Sequence, residues 1–139
     1  MKKHLLLVVA SLFLVVGSLH AESVSLKADI PFDFVVGNTI MRAGTYTIRP
    51  LNTSGLATEL QTSDGKEGIL LTPCDCASDT KQHESKLVFQ VSDGQYFLWQ
   101  IWTEGYDEGR ELTIKHPRTQ EAKLAPPRTV VVAAIAVKA

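Results

Sequence analysis

Ile30-Pro-Phe-Asp-Phe-Val-Val-Gly-Asn-Thr-Ile-Met-Arg-Ala-Gly-Thr-Tyr-Thr-Ile48 decides the fold class of this chain. Pro31 lacks an amide proton, so it suits a strand start or a sheet edge rather than a central ladder. Phe32, Phe34 and Val36 share one face under the two-residue period of a strand. Gly37-Asn38 tolerates the backbone angles of a tight hairpin turn. After Ile40 and Met41 the Arg42-Ala43-Gly44 corner leads into a strand on which Tyr46 and Ile48 share a face. In Greek-key sandwiches a corner tyrosine often bonds the backbone a few residues upstream. This predicts a bond from the Tyr46 hydroxyl to the backbone near Arg42, with Gly44 taking the unusual backbone angle.

The same alternation recurs along the chain. Val24 and Leu26 suggest a first strand, and Leu56 to Thr72 reads as a hairpin closed by Asp64-Gly65. Lys86 to Trp102 is a second hairpin, turning at Asp93-Gly94. Its expected pairs run Ser92 with Gln95, Val91 with Tyr96, Phe89 with Leu98 and Leu87 with Gln100. Leu87, Phe89, Val91, Tyr96 and Leu98 form the core face. Phe97, Trp99 and Ile101 make the second strand apolar on its other side too, as in a central strand. Arg110 to His116 reads as a strand with Leu112 and Ile114 inward. Thr129 to Val137 is a β-branched run after Pro126-Pro127, which favours strand over helix. Pro73 to Glu84 has no periodicity and reads as the longest loop. Eight or nine strands at this spacing indicate one all-β domain, a two-sheet sandwich with a small barrel as the alternative.

The amino end is of a different kind. Lys2-Lys3-His4 precedes an apolar run from Leu5 to Val16 whose single polar residue is Ser11, and Ala21 is the small residue before a signal-peptidase cut. The run is too short for a comfortable membrane span. The reading is a signal peptide over 1–21, a mature domain over 22–139, and export to the periplasm or beyond without stable membrane insertion. Lys2 and Lys3 leave with the signal, so 12 of the 14 basic residues face 15 acids, a formal charge of −3. That mild balance argues against a nucleic-acid partner.

Cys74-Asp-Cys76 is the most distinctive local chemistry. In an oxidising compartment the two thiols could bridge each other, although a ring across one residue is strained. They could instead pair between molecules, stay free, or hold a metal with His83, although the spacing matches no zinc signature. Glu104, Asp107, Glu108 and Glu111 lack the order of a calcium loop and read as a solvated turn. Trp99, Trp102 and Tyr106 are candidates for a binding surface, set against the usual role of such aromatics in a core. No nucleophile elbow, phosphate loop, metalloprotease helix or dinucleotide fingerprint is present. No catalytic residue, metal or cofactor is therefore assigned.

The Phe32 to Ile48 block resembles a pattern in small exported bacterial proteins of unknown function. In those a Phe-x-Val-x-Gly strand leads to a Leu-Pro-Ala-Gly-x-Tyr-x-Val corner. Met41-Arg42 stands here where the pattern has Leu-Pro. The resemblance implies an exported β fold and carries over no catalytic residue. The expected role is that of a non-enzymatic structural or interaction module for a protein or glycan surface. A small-ligand or metal-binding barrel and a periplasmic enzyme of another type are the alternatives.

Overall fold

The computed structural model describes residues 24–52, 54, 56–114 and 127–138, and every regular element among them is a strand. The signal-peptide reading and the Glu22 start lie outside these residues. So do His116 and the Pro126 half of the diproline. β1 (Val24–Ile30), β2 (Phe34–Val36), β3 (Thr39–Met41) and β4 (Gly44–Pro50) come from the opening stretch. β5 (Thr58–Thr62) and β6 (Gly68–Leu71) form the next hairpin, followed by β7 (Cys74–Ala77). β8 (Ser85–Ser92), β9 (Gln95–Trp102), β10 (Glu108–Glu111) and β11 (Arg128–Lys138) complete the order.

The strands lie in the order β3-β2-β9-β8-β11-β1-β4-β5-β6, with β10 added to β9 and β7 added to β10. β11 joins the two halves. Its residues 128–134 pair with β8, and its residues 135–138 pair with β1. The result is one curled, open sheet, the barrel alternative in half form rather than two separate sheets packed together. The curl can be measured from ring contacts. β2 and β4 are five steps apart along the sheet, about 24 Å if it were flat. Yet the Phe34 and Tyr46 ring centroids are 5.2 Å apart, edge to face. The sheet therefore wraps round a core of Phe34, Tyr46, Phe89, Leu60, Leu87 and Leu98, all nearly solvent-free.

Local signals account for the turns. Gly37 is left-handed at φ 60°, and only the first residue of its pair is so. That is the pattern of a turn with glycine leading. At Asp93-Gly94 both residues are left-handed, at φ 51° and 74°, which matches the right-handed twist of the flanking strands. Pro31 ends β1 instead of starting a strand, because β1 runs unbroken from Val24 to Ile30 and the missing amide stops its ladder there.

The β8–β9 register holds from Ser92 opposite Gln95 to Phe89 opposite Leu98, then shifts. Val88 faces Gln100 and Leu87 faces Ile101, leaving Trp99 as an extra residue. The bulge reverses the parity of β9, so Ile101 joins Leu87 in the core and Gln100 turns outward. The expected pairing of Leu87 with Gln100 is corrected accordingly. Two further expectations change. Cys74 to Ala77 is a strand rather than loop, held by β10. The strand expected to reach His116 stops at Glu111, although Leu112 still packs against the core.

Candidate functional site

Three places gather polar or reactive groups. The first is the corner between β3 and β4, which carries the chain from one edge of the sheet to its far half. The Tyr46 hydroxyl donates to the Arg42 carbonyl at 2.6 Å, as its spacing predicts. The Ala43 amide donates to Asp33 Oδ1 at 2.8 Å and ties the crossing to the residue just before β2. Burial, with the charges of Glu67 and Asp33, pushes the Tyr46 phenol above its ordinary value. Gly44 departs from expectation. Its backbone is not left-handed, and an added Cβ would only reach ordinary contact with the Tyr46 ring at 3.9 Å. The bend is made by Arg42 and Ala43. Beside this corner lies a depression of about 290 Å³, walled by Arg42, Thr45, Thr62, Asp64, Lys66 and Glu67. The Thr62 hydroxyl and then the Lys66 amide hold the Asp64 carboxyl below its ordinary value.

The second place is the β7–β10 ribbon. Arg110 pairs with Asp75 across the ribbon and also donates from Nη2 to the Ser54 carbonyl at 2.8 Å, which pins the β4–β5 loop. Sequence reasoning missed this role, because Ser54 and Arg110 are 56 residues apart. On the other face, Trp102 Nε1 donates to Gln100 Oε1 at 3.1 Å, and Gln100 Nε2 donates to Glu111 Oε2 at 3.0 Å. Cys74 and Cys76 lie on this strand as free thiols, Cys74 exposed and Cys76 half-buried. Burial and then the nearby Glu111 charge push the Cys76 thiol up. His83 is exposed, and no three His, Cys, Asp or Glu side chains among the described residues are grouped to hold a metal.

Trp99, Trp102 and Tyr106 do not form one open platform. The Trp102 ring is buried at 7 % exposure against Gly109, where an added Cβ would stand 2.7 Å from the ring. Trp99 is the half-buried bulge residue, and its carbonyl accepts the Leu112 amide at 2.7 Å. Tyr106 alone of the three is exposed, at 56 %.

The third place is the outward face of β11, the strand that the β-branched run from Thr129 to Val137 predicts. Val132 and Ala134 pack against the core, so the alternating residues Val131, Ala133, Ile135 and Val137 point away from it. Val131 is 53 % exposed and Ile135 70 %. Across the neighbouring strands the outward residues pair with Val88 and Ser25, both buried, and with Lys86 and Lys27.

No family model matches this chain, and neither does any curated protein or solved structure.

Proposed function

We propose that this chain is an exported, non-enzymatic interaction module, of the small exported kind that its corner resembles, and that its working surface is the outward face of β11. The observation that carries this reading is the row Val131, Ile135 and Val137 on a central strand, where solvated positions ordinarily take polar residues. The row is about 20 Å long at the rise of an extended strand. Lys27 and Lys86 border it, giving an apolar centre with a polar rim as in protein interfaces. Aliphatic rather than aromatic side chains favour a protein partner over a glycan. Export is supported by the Lys2 to Ala21 pattern.

The triple variant Val131→Thr, Ile135→Thr, Val137→Thr tests the surface, because threonine keeps the strand preference and removes the apolar row. A photo-crosslinker at Ala133, introduced in exporting cells, should capture a protein partner in the native chain and lose it in the variant. Absence of any crosslinked protein, or equal capture by the variant, refutes the reading. The depression beside Tyr46 supports a second reading, a site for a small polar ligand between Arg42 and Lys66. A ligand that raises the melting temperature of the native chain but not of Arg42→Ala would favour it.

A further inference from the structure

Among the described strands β7 pairs with β10 alone, and no described strand lies along its other edge. The Ser78 amide donates to the Asp107 carbonyl at 2.8 Å, extending the β7–β10 ladder. By the two-residue period, Cys74 and Cys76 also turn their backbone groups toward β10. Asp75 and Ala77 turn theirs to the other edge. The side chains alternate as well. Asp75 lies with Arg110 on one face, and both cysteines lie on the other.

Cys74 and Cys76 cannot bridge each other while β7 stays extended. Residues two apart on a strand have Cα atoms about 6.7 Å apart with parallel Cβ bonds. A disulfide needs Cβ atoms about 4 Å apart. A second copy meets this need. An antiparallel partner strand with its two-fold axis at Asp75 exchanges two backbone bonds between the two Asp75 residues. It also sets each Cys74 opposite Cys76 of the other copy. Such non-hydrogen-bonded pairs have Cα atoms about 4.5 Å apart, within disulfide reach. The two Asp75 carboxylates then face each other, and each is neutralised by its own Arg110.

We propose that β7 is a self-pairing edge, through which two copies of this chain join as an antiparallel dimer locked by two reciprocal Cys74–Cys76 disulfides. The oxidant is a low-molecular-weight disulfide. The exposed Cys74 loses its proton to solvent, and its thiolate attacks that disulfide, releasing one small thiol and forming a mixed disulfide. The Cys76 thiolate of the second copy then displaces the second small thiol. For each bridge, two cysteine thiols give up two protons and two electrons, and one small disulfide becomes two thiols. This proposal concerns a different surface from the β11 face and stands or falls separately from it.

The test uses the purified, reduced chain treated with oxidised glutathione, together with Cys74→Ser and Cys76→Ser, each alone and the two mixed. Native chain should yield a covalent dimer on non-reducing gels. Trypsin should release residues 67–81 as two joined copies, four hydrogens lighter than the pair of free peptides. Neither single variant should crosslink alone, because serine then faces each remaining cysteine. The mixture should give a heterodimer with one bridge. A single 67–81 peptide two hydrogens light, crosslinking of either variant alone, or failure of the mixture would overturn the proposal.

Discussion

Replacing Tyr46 by Phe removes one oxygen and leaves the ring in place. The ring is 2 % exposed and packed edge to face on Phe34, so the substitution leaves the core filled. What is lost is the 2.6 Å bond to the Arg42 carbonyl, which fastens the crossing from β3 to β4. Arg42 is exposed, so water can take over part of its carbonyl's bonding. That keeps the cost near the value of an ordinary hydrogen bond, about 1 kcal/mol, and below the penalty for a fully buried orphan. For a domain of this size the melting temperature should fall by about 3–6 °C. Urea unfolding followed by tryptophan fluorescence should show a lower midpoint with an unchanged slope. The folded protein also holds the Tyr46 proton more tightly than the unfolded chain does. The stabilisation linked to that proton is complete below the unfolded phenol pKa of about 10 and is lost as pH rises through the higher folded value. Native chain should therefore lose stability in that alkaline window more steeply than Tyr46→Phe. Equal midpoints at neutral pH would mean the hydroxyl bond contributes nothing, and the corner argument would fail.

Phe89→Ala should cost about 3–5 kcal/mol, since the ring is fully buried and touches both Phe32 and Phe34; calorimetry reads the change directly. Gly109→Ala should cost about 1–3 kcal/mol, because the new methyl meets the Trp102 ring and the Ile101 carbonyl. In a Trp102→Leu background the same change should cost less, which a double-mutant cycle measures. Arg110→Ala should lose under about 1 kcal/mol of global stability, since its Asp75 partner is mostly exposed. Hydrogen exchange should nonetheless quicken in the loop around Ser54. Chelator treatment should leave the melting temperature unmoved; a drop reversed by zinc would assign the Cys74–Cys76 strand a metal.

Much of this protein was decided by contacts a few residues long. The Gly37-Asn38 and Asp93-Gly94 turns follow from backbone angles that few residues accept. Phe34 with Val36, and Tyr46 with Ile48, follow from strand alternation. The Tyr46 bond spans four residues, short enough for spacing alone to predict. β11 was legible as a strand from its β-branched run. Its division between β8 and β1 was not, because either partner suits the same valines until the sheet curls. The Trp99 bulge escaped for a related reason. Leu87 can face Gln100 or Ile101 without changing the turn, and only burial of Ile101 in the curled core selects the second. Cys74 to Ala77 carries no alternation that marks a strand, so its extended form depends on β10 about thirty residues later. The same holds for the candidate surfaces. Composition placed tryptophans on β9, but the approach of Gly109 is what buries Trp102, and the curl is what leaves Val131 and Ile135 in solvent. Local backbone chemistry therefore set the strands and turns, and long-range closure of the sheet decided which faces were hidden.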